Sequence, residues 1–332
     1  MKNLKKLLSL LLALVMCLAL AACGAPAEEE AGEAEDGLYQ IGVIQLVQHE
    51  ALDAATQGFV DTLIEKGIAS EDTIDIQNAQ GDTPTCATIV NGFVSADVDL
   101  ILANATAALQ AAAAGTDSIP ILGTSITDYA TALEIDDWTG ATGTNISGTS
   151  DLAPLADQAA MLAELFPAAD YPTVGILYCS AEPNSKYQSN VVTAELTALG
   201  YTVKEYTFAD SNDVAAVTTT ACSEADVLYI PTDNTAASCT EAINNVAAPA
   251  GTPIIAGEEG ICKGCGVATL SISYYDIGVA AGEMAYEILV NGADVSTMEV
   301  QFAGSVTKKY NPVNCQALGI TPPEGYEAIV ME

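Results

Sequence analysis

Short apolar runs and amphipathic helical periods take turns along nearly the whole chain, and this alternation limits its folds more than any other feature. Ile41-Gly42-Val43-Ile44-Gln45-Leu46-Val47 is a nearly continuous apolar run, the pattern of a strand buried on both faces. Ala51 to Lys66 then places Leu52, Ala55, Phe59 and Leu63 on one helical face and stops at Gly67. Strands at 73–78, 99–103 and 119–123 alternate with helices at 85–96 and 106–114. A Thr-, Gly- and Asp-rich stretch from Asp128 to Ser150, which holds the sole tryptophan, Trp138, interrupts the pattern. It then restarts, with strands expected at 173–178, 201–208, 227–230, 253–256 and 267–270. The helices of this half are expected at 155–166, 185–199, 214–222, 236–247 and 275–289. Such βα alternation builds parallel sheets through right-handed crossovers. Ile41-Gly42-Val43-Ile44 and Val174-Gly175-Ile176-Leu177 open the two halves alike. Two similar Rossmann-like α/β lobes in tandem, each of about 100–150 residues, are the simplest account.

The first 22 residues stand outside this pattern. Lys2, Lys5 and Lys6 precede an apolar stretch from Leu7 to Ala22, which is short for a spanning helix. Leu20-Ala21-Ala22-Cys23-Gly24 follows and resembles a bacterial lipobox, with Cys23 as the lipidated first residue of the mature chain. Residues 23–37 form an acidic stretch without apolar period, read as a tether. No later apolar run is long enough to span a membrane. The expectation is an extracytoplasmic protein, lipid-anchored to the cell membrane at one end and otherwise soluble.

Charge narrows the partners. Nine Lys face 44 acidic residues and Arg is absent, for a formal net charge of −35. Loss of the signal leaves six Lys against 44 acids, or −38. Such a chain repels nucleic acid, which needs Lys and Arg against its phosphates. One His, His49, is too few for a His-rich zinc site or an ordinary catalytic triad. Seven Cys remain after Cys17 and Cys23 are set aside. The odd number precludes complete pairing, and Cys262-Lys263-Gly264-Cys265 is a lone C-x-x-C, read as a local disulfide or as free thiols.

In open parallel sheets, ligands bind outside the carboxyl ends of the strands. Those ends are followed by Gln45 and His49-Glu50, by Asn104 to Thr106, and by Thr124 to Asp128. In the second half they are followed by Glu182 to Ser185, Thr232 to Thr235 and Gly257 to Gly260. Helix capping explains Ser, Thr, Asp or Asn at any one of them. Six such ends facing one cleft are more than caps require, and exposed helix N-termini also attract anions. No P-loop, no G-x-G-x-x-G after the first strand and no G-x-S-x-G elbow occurs. Asp233 with Glu258 is a conceivable glycosidase pair, but acids are so common here that chance pairing explains it. No enzyme, no cofactor and no metal site is expected.

Residues 41–54, from Ile41 to Ala54, resemble the opening of the ABC-transporter substrate-binding protein family associated with tryptophan and tyrosine uptake. So do Gln77-Asn78-Ala79-Gln80-Gly81-Asp82, Gly148-Thr149-Ser150-Asp151-Leu152, Tyr229 to Thr235, and Gly257-Glu258-Glu259-Gly260. The resemblance runs from about Tyr39 to Met298. It implies a periplasmic-binding-protein-like class I fold, with two lobes joined by three crossover strands and the ligand in the interlobe cleft. It implies one lobe from 38–147 plus about 274–296, and a second from 148–273 plus about 297–332. It also implies an ABC permease and ATPase as partners, and a monomer is expected. An aromatic amino acid is the favoured ligand; another amino acid, a nucleoside, a sugar, or a sensing role on the same fold are the alternatives.

An α-amino acid needs partners for its carboxylate and its ammonium. With Arg absent, neutral donors must hold the carboxylate. Thr106, Ser125 and Thr127 from the first lobe, with Asn184 and Ser185 from the second, are the expected donors. Asp233 or Glu258 is expected on the ammonium, with Asn234 assisting. Tyr275 and Tyr274 are expected to flank the aromatic ring, with core packing as the competing role for either, and Gln45, Asp128 and Thr232 complete the expected lining.

Overall fold

A computed structural model describes residues 37–331. The expected signal, the lipidation site Cys23 and the tether up to residue 36 lie outside the described residues. The first half contains β1 (Ile41–Gln45), β2 (Ile74–Asn78), β3 (Leu100–Asn104), β4 (Ile121–Ile126) and β5 (Ile146–Ser150). They alternate with α1 (Glu50–Glu65), α2 (Thr83–Ser95), α3 (Thr106–Gly115) and the short α4 (Tyr129–Ala132). The second half has β6 (Thr173–Cys179), β7 (Thr202–Phe208), β8 (Val227–Ile230), β9 (Ile254–Ala256) and β10 (Ala268–Ser271). Its helices are α5 (Leu155–Leu165), α6 (Pro183–Ala198), α7 (Val214–Glu224), α8 (Asn234–Ser238), α9 (Thr240–Ala250) and α10 (Glu259–Gly264). The chain finishes with α11 (Tyr274–Leu289), β11 (Gln301–Phe302), β12 (Thr307–Tyr310), α12 (Pro312–Leu318) and β13 (Glu327–Ala328).

Two sheets result, ordered β11-β5-β4-β3-β1-β2 and β13-β12-β10-β9-β8-β6-β7. Every pair in the first is parallel. The second is parallel except where β12 joins β10 antiparallel. The α/β reading with two lobes therefore holds. The chain passes between the sheets after β5, after β10 and after β11. The changeover expected at 147/148 falls inside β5, whose five residues are all buried and four of which pair with β4. The return expected near 297 comes later, because β11 still pairs with β5. The single helix expected at 236–247 is broken at Cys239, whose φ of −120° ends α8 and opens α9.

The strand β1 is buried at every residue, as its apolar run required. Phe59 and Leu63 of α1 cover one side of its sheet together with Met284 and Ala285 of α11. Val90 and Phe93 of α2 and Leu109 of α3 fill the other. Each of the larger of these side chains contributes about 1.5–3 kcal/mol on burial. The helix α11 can lie against α1 because glycines line the contact. A Cβ on Gly278 would stand 2.0 Å from Ala55 O, and one on Gly58 would stand 2.1 Å from Tyr275 O. This close packing fixes where the N-terminus of α11 enters the space between the sheets.

Candidate functional site

The carboxyl ends of the strands from both sheets open onto one cleft. From the first half, His49 and Leu52 line it at the start of α1, and Ser125 and Thr127 at the end of β4. Asp151 follows β5, and Tyr274 is the first residue of α11. The second half contributes Asn184 at the start of α6, Thr232 to Asn234 after β8, Ala237 on α8, and Glu258 after β9. No Lys is among these lining residues, so the charge of the cleft comes from carboxyl groups.

Most of those carboxyl groups are committed to the fold. Asp233 caps α8 by accepting from Ala236 N at 2.7 Å, and its other oxygen accepts from Cys179 N at 2.7 Å. Burial and the neighbouring Glu182 push its pKa upward. Glu258 caps α10, accepting from the amides of Gly260 and Ile261. Burial outweighs those two amides and raises its pKa to about 7. Behind the cleft, Glu182 accepts from the backbone N–H groups of Asn234 at 3.0 Å and Thr235 at 2.8 Å. It also takes Asn234 Nδ2 at 2.8 Å. The Asn234 amide is thereby oriented, and its Oδ1 faces His49 Nε2 at 3.2 Å. Burial lowers the pKa of His49, against opposing contributions from Asn234, Glu182, Asp53 and Glu50.

Asp151 is different. Its Oδ1 accepts from Thr127 Oγ1 at 3.0 Å and its Oδ2 from Tyr274 Oη at 2.8 Å. Both partners are rotatable hydroxyls, and each carboxylate oxygen has lone-pair capacity left. Burial raises the Asp151 pKa, with the Tyr274 and Thr127 hydroxyls and its own backbone N–H pulling the other way. Near it, Ser125 Oγ is buried without a hydrogen-bond partner. Ser125 also holds φ at +56°, and Ala105, at the end of β3, holds +90°. Buried non-glycine residues at such angles store strain of about 1–3 kcal/mol, a feature that clusters at functional sites.

The profile of the family described as ABC transporter substrate binding protein matches residues 40–329. The chain belongs to this family. Among the substrate-binding proteins it resembles is a tyrosine-binding protein from Clostridioides difficile, 38% identical over 251 residues, which span 75% of this chain and 72% of that one. A solved structure from Streptococcus pneumonia, in complex with L-Trp, aligns with a TM-score of 0.82 at 31% identity, covering 88% of this chain and all of that one. A ligand-free, open structure of a substrate-binding protein with adhesive properties from Clostridium difficile gives 0.66 at 36% identity, with 89% and 100% covered. The fold is that of the periplasmic-binding-protein-like class I.

Within this substrate-binding architecture, Ser125, Thr127, Asn184, Thr232, Asp233, Asn234 and Glu258 all reach the cleft, as their loop positions implied. Five others do not line it. Gln45 spends its side chain on Val47 O, Asp53 Oδ1 and Thr56 Oγ1. Asp128 caps α4 through Thr131 N. Ser185 is fully buried and accepts from Asn184 Nδ2 at 3.3 Å, and Thr106 is buried at the start of α3. Tyr275 is 41% exposed and donates to Asp61 Oδ2 at 3.0 Å, outside the cleft. Its neighbour Tyr274 lines the cleft. Asp151 is not among the expected binding residues; its one signal in the sequence is that it closes the Gly148-Thr149-Ser150-Asp151 run directly after a strand. Cys262 and Cys265 are free buried thiols, not a disulfide.

Proposed function

We propose that this chain captures an amino acid with an aromatic side chain in the interlobe cleft and delivers it to an ABC permease. The observation that carries the reading is Asp151, a buried carboxylate whose side-chain partners are the hydroxyls of Thr127 and Tyr274, with capacity left for a further donor. An α-ammonium group supplies that donor and the missing countercharge together. The unpartnered Ser125 Oγ, two residues from Thr127, is the matching donor for the ligand carboxylate. Tyr274 and His49 flank the side chain, and Asn184, Thr232 and Asn234 complete the polar lining. In this reading the ammonium role passes from Asp233 and Glu258, whose oxygens serve helix caps, to Asp151. The similarity to a tyrosine-binding protein and to an L-Trp complex supports the aromatic class. The lobes also match the L-Trp complex better than the open, ligand-free structure, although the latter is closer in sequence.

The protein works outside the cytoplasm, and the lipid on Cys23 holds it to the membrane as a monomer, with the acidic tether as spacer. Titration calorimetry with L-Trp, L-Tyr, L-Phe, nucleosides and sugars tests the ligand. Saturable binding of L-Trp or L-Tyr is expected, and binding confined to a sugar or nucleoside overturns the assignment. Cys23→Ala is expected to release the protein from the membrane fraction, and retention there overturns the anchor. Uptake of the labelled amino acid in cells lacking this chain separates transport from sensing.

A further inference from the structure

All six lysines within the described residues form ion pairs. Five of those pairs lie within one lobe. Lys66 meets Glu283 between α1 and α11, both on the first sheet. Lys186, Lys204, Lys308 and Lys309 meet Glu205, Glu224, Glu164 and Glu259 around the second. Lys263, in the last turn of α10, instead reaches Glu50, the first residue of α1 on the other lobe. The backbones come close here, since a Cβ built on Gly260 would lie 3.5 Å from Glu50 Cβ. The adjacent residue, His49, makes its cross-lobe contact with Asn234.

The setting makes this pair matter. Both lobes carry a large excess of carboxylates, so their mutual repulsion opposes closure. Grooves of about 510 and 480 Å³ open on the two sides of the pair, and both are lined by Glu50 and Lys263. The ion pair therefore stands between open grooves and not inside a sealed interface. Glu258 and Tyr274 of the cleft also line the first groove, and His49, Ala237 and Glu258 the second, so the pair stands where the cleft opens outward.

The geometry points to Glu50 and Lys263 as positioning residues that hold the lobes closed and set the rate of ligand release without touching the ligand. This rests on the reading of the cleft as a ligand site closed by lobe movement. The closed fraction multiplies the intrinsic affinity, so a weaker bridge raises the apparent Kd and the release rate together. Lys263 and Glu50 are both partly exposed, which limits the effect of losing the pair to about two- to five-fold. Reversal of one charge adds repulsion and is expected to reach about three- to ten-fold.

The test is a charge swap. Glu50→Lys and Lys263→Glu, made singly, should each accelerate release of L-Trp or L-Tyr in stopped-flow displacement, and the double swap should return the rate to within about two-fold of wild type. Added salt should speed release from wild type more than from Glu50→Gln. Small-angle scattering of the ligand-free protein gives a second arm that needs no ligand: each single reversal should enlarge the radius of gyration and the swap should restore it. Unchanged rates and radii in the singles, or a double swap no better than either single, overturn the proposal. If no aromatic amino acid binds but the radii respond as stated, the ligand assignment fails and the bridge stands.

Discussion

The Tyr274 hydroxyl donates to Asp151 Oδ2 at 2.8 Å and so ties together two of the places where the chain passes between its sheets. Asp151 directly follows β5, and Tyr274 opens α11 soon after β10. One hydrogen bond thus belongs both to the ligand cleft and to the hinge.

Asp151→Asn removes the countercharge while keeping the shape. Charge-assisted hydrogen bonds contribute about 1.5–3 kcal/mol, so affinity for the amino acid should fall about 10- to 100-fold. The pKa of Asp151 is raised by burial, so ionising it costs stability, and the variant should unfold at the same temperature as wild type or higher. Calorimetry and a thermal melt check both. Unchanged affinity removes Asp151 from the site.

Tyr274→Phe and Tyr275→Phe should behave differently. The first deletes a buried donor to Asp151 and should lower folding stability by about 1–3 kcal/mol, the cost of an unsatisfied buried partner, with a change in ligand affinity beside it. The second deletes an exposed bond to Asp61 and should leave affinity unchanged. The sequence places both tyrosines at a helix start and cannot choose between them. One position along a helix turns a side chain by about 100°, and only the packing of α11 on α1 fixes that phase.

The same limit explains much of what the sequence left hidden. Strand and helix order was legible because a strand buried on both faces must be apolar throughout, as β1 is. The cleft loops were legible because parallel strands aim their carboxyl ends to one side, which delivered Ser125, Thr127 and Asn184. Local hydrogen bonding was not. Gln45 looks like a cleft residue until Val47, Asp53 and Thr56 are seen to use its whole amide. Asp233 and Glu258 look like free carboxylates until the amides they cap are in place. β11 and β13 have two residues each, too few for any period to register.

Ser125 offers a separation of binding from stability. Its hydroxyl is buried without a partner, so Ser125→Ala loses no internal hydrogen bond and removes a desolvated group. The melting temperature should hold or rise while ligand affinity falls. Ser125→Gly should go further, because glycine relieves the φ of +56° by about 1 kcal/mol. Denaturant unfolding of both variants, beside calorimetry, reads the two effects. A loss of stability in Ser125→Ala without loss of affinity would make the residue structural.

Gly278→Ala tests the contact that aims α11 at the cleft. The added methyl would sit 2.0 Å from Ala55 O, which is backbone and cannot swing aside. Overpacking of this kind costs about 1–3 kcal/mol or more. Urea unfolding should show that loss, and Tyr274 should be displaced with the helix, so affinity should drop with stability. Gly92→Ala, with nothing within 4 Å of the added methyl, is the control and should be neutral or slightly stabilising.

The dependence of stability on pH follows from the capped carboxyls. Glu258 has its pKa raised from 4.5 to about 7 in the folded protein by burial. Between those values the folded state holds a proton that the unfolded state has released. Stability must therefore fall as pH rises through this window, by up to about 1.4 kcal/mol per unit for one such group. Burial shifts Asp151 and Asp233 in the same direction. Exposed pairs such as Lys204 with Glu224 lower the carboxyl pKa and work the opposite way at lower pH. The decisive quantity is the difference between wild type and Glu258→Gln. In thermal melts from pH 5 to pH 8 the variant should lose less stability than wild type as pH rises. Parallel curves for the two proteins would mean that Glu258 ionises at its ordinary value. Ligand binding should move oppositely, strengthening as pH rises through the range where Asp151 ionises, because only the carboxylate attracts an ammonium group.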